Sequence, residues 1–195
     1  MPDSTFTRDE NKLPPYLPYG IGKGFLDDAV MDRLIADHAP QMTQGTLLTG
    51  HGNTQVRRSH VVFIKKRAST RWLYSRIMEL AEEINRRFFC VDISSIEGNI
   101  QLARYDASEL GFYNWHTDFS RNAPRRKISV SIQLSHPQEY EGGDLELFFS
   151  GEPYQCDKER GDFIAFPSFM LHRVTPVTRG TRWSLVAWIS GSRWR

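Results

Sequence analysis

Cysteine is scarce: Cys90 and Cys156 are the only two in 195 residues. Neither lies in a C-x-x-C pair or a Cys/His cluster, which argues against a disulfide scaffold and a thiolate metal site and leaves two reduced thiols. Long apolar runs are missing as well. No stretch approaches the ~18 residues of a membrane span, and the opening segment MPDSTFTRDENKLPP has no apolar core of a secretory signal. A cytoplasmic protein with no membrane partner is expected. Charge of one sign is also lacking: 25 Lys and Arg stand against 23 Asp and Glu, a formal net charge of +2. That balance does not supply the basic footprint of a nucleic-acid binder, so no such partner is expected. The short clusters Arg57-Arg58 and Arg125-Arg126-Lys127 read as solvated strand ends. Internal repeats and low-complexity tracts are absent too, so no repeat array is expected.

What remains is an ordinary globular composition, 39% hydrophobic, 12% aromatic and 25% charged. A single domain of this length can bury about 70% of its unfolded surface. Residues 1–18 carry Pro14, Pro15 and Pro18 and read as an extended arm, with 19–195 as the one domain. A helix is expected over 27–39, where Val30, Leu34 and Ile35 share a face and Pro40 ends it. A second is expected over 70–87, with Leu73, Ile77, Leu80, Ala81, Ile84 and Phe88 in one stripe. Residues 57–64 read as one strand.

From residue 99 onward the pattern is of short strands: 99–105, 112–118, 127–135, 144–149, 162–166, 171–174 and 182–190. Gly142-Gly143, Gly151 and Gly180 mark turns between them. The expected class is α+β, mainly β: a double-stranded β-helix, or jelly roll, over about 99–191, with the two N-terminal helices packed outside one sheet.

Strand parity sharpens this expectation. Ile128, Val130, Ile132 and Leu134 alternate with Ser129, Ser131 and Gln133. Ile100 and Leu102 alternate with Gln101, Ala103 and Tyr105. Trp183, Leu185, Ala187 and Ile189 alternate with Arg182, Ser184, Val186 and Trp188. If the apolar faces carry the helices, the polar faces line a pocket inside the barrel.

The sharpest local signal is His116-Thr117-Asp118, because residues i and i+2 of a strand point the same way. A third histidine would make a two-histidine, one-carboxylate facial triad, a set suited to iron(II) with open coordination positions. His136 and His172 both lie downstream. His136 ends a strand before Pro137 and reads as exposed, whereas His172 sits in a short strand with Arg182 ten residues on. A guanidinium fork suits the carboxylate of a 2-oxo diacid. A zinc hydrolase using the same three residues, or a non-catalytic jelly-roll binding domain, are the rival readings.

Several segments together resemble the iron(II)/2-oxoglutarate dioxygenases of the prolyl 4-hydroxylase type, including the bacterial PKHD-type hydroxylases. The resemblance spans about 57–191. It rests on Arg57-Arg58-Ser59, on Tyr105 with Gly111-Phe112-Tyr113-Asn114-Trp115-His116-Thr117-Asp118, and on Tyr140-Glu141-Gly142-Gly143-Asp144-Leu145. It continues in Gly161 to Ser168 and, most specifically, in His172 to Arg182. It implies iron(II) ligation by His116, Asp118 and His172, with Arg182 binding the far carboxylate of 2-oxoglutarate in preference to Arg179. It further implies Tyr105, Gln133, Leu145 and Trp188 as cosubstrate contacts and Tyr113 on the substrate side. Arg58, Trp115 and Arg121 are weaker substrate candidates. The implied reaction consumes O2 and 2-oxoglutarate, releases succinate and CO2 and hydroxylates a C–H bond, with ascorbate as an accessory reductant. The substrate would be a small molecule or a peptidyl residue.

Overall fold

The computed structural model describes residues 18–45 and 55–193. The expected arm lies almost wholly outside the described residues, as do residues 46–54.

Helix α1 spans Asp28–His38 and α2 spans Arg71–Ile84, each close to its expected bounds. In α1 the buried positions are Met31 and Leu34, with Val30 and Ile35 packed at their edge. Pro40 then forces a short 3-10 turn over Ala39–Gln41. In α2 the stripe of Leu73, Tyr74, Ile77, Leu80, Ala81 and Ile84 is fully covered. Beyond Ile84 the chain loosens into a π turn over Asn85–Phe89 and stops at Cys90, which takes the left-handed φ of 51°. The stretch expected as helix up to residue 87 is therefore α-helical only as far as Ile84.

Eight strands carry the rest: β1 His60–Ile64, β2 Ile100–Asp106, β3 Phe112–His116, β4 Arg126–Gln133, β5 Leu145–Phe148, β6 Phe163–Pro167, β7 Leu171–Val174 and β8 Val177–Ser190. All pair antiparallel. The major sheet runs β6-β4-β8-β2-β1, extended at its two edges by Gly20–Gly22 and Thr43–Gln44. The minor sheet runs β5-β7-β3, flanked by Tyr154–Gln155 and Arg57–Arg58. Two facing sheets with both helices outside the larger one make the jelly roll that parity foretold.

The apolar faces go where the helices need them. Ile100, Leu102, Ile128, Val130, Ile132, Leu134, Leu185, Ala187 and Ile189 form one buried cluster with Leu34, Leu73, Ile77 and Ile84. The opposite faces of the same strands look into the space between the sheets.

Two elements differ from their sequence pattern. Residues 57–64 are not one strand: Arg57–Arg58 pairs with β3 in the minor sheet, and His60–Ile64 pairs with β2 in the major one. The chain crosses between sheets at Ser59, a buried small residue whose hydroxyl accepts a 2.6 Å bond from Arg57 Nε. Gly180 does not end a strand either. It sits inside the 14-residue β8 at φ 70°, where pairing passes from Tyr140–Gly142 to β2 and β4. The basic cluster at 125–127 is also not solvated throughout, since Arg126 and Lys127 are buried.

Candidate metal centre and cosubstrate cavity

His116 ends β3 and His172 lies in β7, and the two are direct cross-strand partners. Asp118 follows two residues after His116. One ligand atom from each of the three comes within 4.8 Å of the others. His116 Nε2 lies 3.9 Å from one carboxylate oxygen of Asp118, and His172 Nε2 lies 3.5 Å from the other.

Each ring nitrogen has a set task. His116 Nδ1 is 2.8 Å from the Asn114 carbonyl and His172 Nδ1 is 2.9 Å from the Met170 carbonyl. A carbonyl only accepts, so Nδ1 carries the hydrogen in both, and both Nε2 lone pairs face Asp118. Ser129 donates a 2.7 Å bond to Asp118 Oδ2, and the Ser168 carbonyl accepts from the Asp118 amide at 2.9 Å. Burial, and then the neighbouring His172, push His116 down to about 3. Burial pushes Asp118 the other way, but the imidazoles of His172 and His116 and the Ser129 hydroxyl hold it below the ordinary carboxylate range. Neutral imidazoles beside an ionised carboxylate are the form a divalent cation needs.

The three residues border a cavity of about 420 Å³ between the sheets. Arg182 reaches it from β8, 1% exposed. Its guanidinium lies 5.5 Å from the Tyr105 ring centre, and its Nη1 donates to Ser184 Oγ at 3.3 Å. Its Nε and Nη2 are buried and meet no acceptor among the described residues. A buried cation with two unmet donors calls for an anionic ligand. The donor set of the triad and this orphaned fork together fit a divalent metal chelated by a dicarboxylate.

A family model described as the 2OG-Fe(II) oxygenase superfamily matches residues 100–190. A PKHD-type hydroxylase, YbiX, from Escherichia coli strain 55989 is 30% identical over 158 residues, covering 76% of this chain and 67% of that one. The chain belongs to the PKHD-type hydroxylases of the 2OG-Fe(II) oxygenases. Another PKHD-type hydroxylase, from Idiomarina loihiensis, is 28% identical over 166 residues, 83% of this chain and 72% of that one. Two solved structures share the fold. A Pseudomonas putida prolyl-4-hydroxylase matches with TM-score 0.73 at 21% identity, over 89% of this chain and 92% of its own. A Trichoplax adhaerens prolyl hydroxylase, solved with a hypoxia inducible factor peptide, matches with TM-score 0.77 at 18% identity, over 89% and 84%. As a member of this family the chain is a 2-oxoglutarate-dependent hydroxylase.

Tyr105, Leu145, Trp188 and Tyr113 all line the wall of this cavity. Four other candidates fall elsewhere. Gln133 has the right parity, but Ser131 is the last residue of β4 to border the cavity; two positions on, Gln133 opens into a separate 30 Å³ void beside Lys23, Cys156 and Asp162. Trp115 faces outward as the immediate strand neighbour of the inward His116, and a bulge brings Tyr113 inward. Tyr113 pairs with Val174 and His116 with His172, so β3 spends three residues where β7 spends two. Trp115 then packs outside against Phe148 and under Arg173. Arg121 is exposed on the turn after Asp118. Arg58 lies on the outer surface over Phe112, donating to the Glu109 carbonyl.

His136 caps the Pro137–Glu139 turn, and Arg179 pairs with Glu141 on the surface. Neither competes for the site.

Sequence reasoning missed Arg57, Gln101 and Arg126 as cavity residues. Gln101 was legible, since it shares a strand face with Tyr105. Arg57 was hidden by the assumption of a single strand over 57–64.

Proposed function

We propose that this chain hydroxylates an unactivated C–H bond of an amino-acid-type group, carried by a peptidyl residue or a small metabolite, with 2-oxoglutarate converted to succinate and CO2. The observation that carries the reading is the buried Arg182 with two unmet donors, opening on the same cavity as His116, Asp118 and His172. In this reading the triad holds iron(II), and the chemistry supplied when iron(II), 2-oxoglutarate and O2 are bound is oxidation of C–H to C–OH coupled to that decarboxylation.

The chain's own residues do the positioning. The Arg182 fork and the Tyr105 ring hold the distal carboxylate at the closed end, and Leu145 and Trp188 shape the walls. Hydrogen bonds to the Asn114 and Met170 carbonyls keep both imidazoles in one tautomer. Tyr113 stacks on His116, ring centres 3.5 Å apart at 14°, and forms the floor of the substrate side. Burial pushes its phenol up to about 12, so it stays a neutral hydrogen-bond donor.

A zinc hydrolase is less well supported. Besides Asp118 the only carboxylate bordering the cavity among the described residues is Glu97, which is paired with Arg126. The test is anaerobic titration of the iron(II) protein with 2-oxoglutarate, followed by succinate assay in air. A weak visible charge-transfer band and succinate release are expected. His116→Ala and Asp118→Ala should abolish succinate, and Arg182→Ala should chiefly raise the 2-oxoglutarate requirement. Absence of the band in the intact protein would sink the oxygenase reading, and full activity of His172→Ala would sink the choice of third ligand.

A further inference from the structure

Among the described residues, the charges that border the cavity can be paired one by one, and one cation is left over. Arg126 Nε meets Glu97 at 2.9 Å. On the reading above, on which this step rests, the distal carboxylate of 2-oxoglutarate neutralises Arg182. The two charges of iron(II) are balanced by Asp118 and the proximal carboxylate. Arg57 remains.

Arg57 is 6% exposed, yet no carboxylate among the described residues pairs with its guanidinium. Nε donates to Ser59 Oγ at 2.6 Å, and Nη2 donates to Gln101 Oε1 at a long 3.4 Å. These contacts are to neutral groups, and Nη1 makes no hydrogen bond with a described residue. The guanidinium carbon lies 4.6 Å from the centre of the Tyr113 ring, which itself stacks 3.5 Å from His116. The free edge of the fork is thus one aromatic ring away from the metal ligands, within the span of one amino-acid-sized molecule. A buried guanidinium without a counter-charge is costly, and a planar fork recognises a carboxylate best through two parallel bonds.

We infer that the substrate presents a carboxylate to Arg57, so that this hydroxylase takes either a free amino acid or the C-terminal residue of a peptide. Gln101 and Ser59 hold the fork in place. Phe63, which borders the cavity together with Gly98 and Asn99, is half-exposed, so the cavity reaches solvent there and leaves space for the rest of a peptide.

The test is calorimetric titration of the anaerobic protein loaded with iron(II) and saturating 2-oxoglutarate. The probes are the twenty free L-amino acids, their carboxamides, and tripeptides Gly-Gly-Xaa with free or amidated C-termini. Binding confined to free carboxylates is expected, with each amide at least about tenfold weaker than its acid. Preference between amino acids and tripeptides identifies the source of the carboxylate. Arg57→Gln should lower acid binding to the amide level, and Arg57→Lys should restore part of it by keeping the charge without the fork. Amides binding as tightly as acids, an acid preference that survives Arg57→Gln, or no acid binding at all would each overturn the inference. The 2-oxoglutarate titration comes first on the same sample. Failure there removes the underlying oxygenase reading, whereas normal uptake with no acid preference removes only the role of Arg57.

Discussion

Opposing effects act on the Asp118 carboxylate. Burial favours its neutral form, and two imidazoles and the Ser129 hydroxyl outweigh that and keep it ionised. The Ser129 bond to Oδ2 at 2.7 Å also fixes the rotation of the carboxylate between the two histidines, so Ser129 would act on a bound metal without touching it. Ser129→Ala should weaken metal affinity by about 10- to 100-fold, read by competition with a chelating dye, while the fold is retained. An unchanged affinity would show that Ser168, 3.0 Å from Ser129 Oγ, suffices. At this scale the sequence was informative about pairs and silent about depth. His116, Asp118, His172 and Arg182 could be singled out because their spacing and strand parity converge on one chemistry. Gln133 shared that parity and still fell outside the cavity, because a strand face says which way a side chain points and not where the cavity ends. Arg57 and Arg58 show the converse: adjacent arginines look alike in sequence, and only the pairing of Arg57 with Tyr113 turns one inward and the other out.

Elements were legible wherever one period ran unbroken. The stripe of α2 and the alternation of β2, β4 and β8 place the helices on the outer face of the major sheet without any motif. The misses all sit where the period is interrupted. The bulge in β3 adds one residue and brings Tyr113 to the cavity side where unbroken alternation from His116 would have turned Asn114, and the crossover at Ser59 divides one apparent strand between two sheets. Gly180 belongs with these. As a glycine in a run of β-branched and polar residues it looks like a turn, but its left-handed φ of 70° lets β8 bend while staying paired. A Cβ there would come 1.9 Å from the Glu139 carbonyl oxygen. Gly180→Ala should therefore cost more than the ~1–3 kcal/mol of a strained left-handed residue alone, and it should also disturb Arg182 two residues on. Gly24→Ala is the matched control, with a φ of 61° and nothing within 4 Å of the added carbon. Thermal melts showing equal losses for the two would refute the contact with Glu139 as the cause.

The whole molecule is two sheets held apart by a cavity whose polar walls belong to different sheets. His116 and His172 come from the minor sheet, and Ser129 and Arg182 from the major one. One apolar cluster, beneath the helices, lies on the far side of the major sheet; a second joins the two sheets beside the cavity, with Tyr105, Ile164 and Phe166 of the major sheet against Leu145, Leu147 and Val174 of the minor one. Metal and cosubstrate would add a polar bridge to that apolar junction, and their binding energy should appear as stability of the entire fold. At a hundredfold excess over its dissociation constant a ligand adds about 2.7 kcal/mol, which for a chain of this size raises Tm by about 5–10 °C. Arg182 sharpens the test, because without ligand its unmet buried charge is a cost rather than a support. Arg182→Met keeps much of the stem and removes the charge. The ligand-free variant should melt no lower than the parent, and its rise with iron(II) alone should persist. The additional rise with 2-oxoglutarate under anaerobic conditions should vanish. Loss of stability in the ligand-free variant would mean that Arg182 already supports the fold without a carboxylate, and a full 2-oxoglutarate shift without the guanidinium would mean that another group binds that carboxylate.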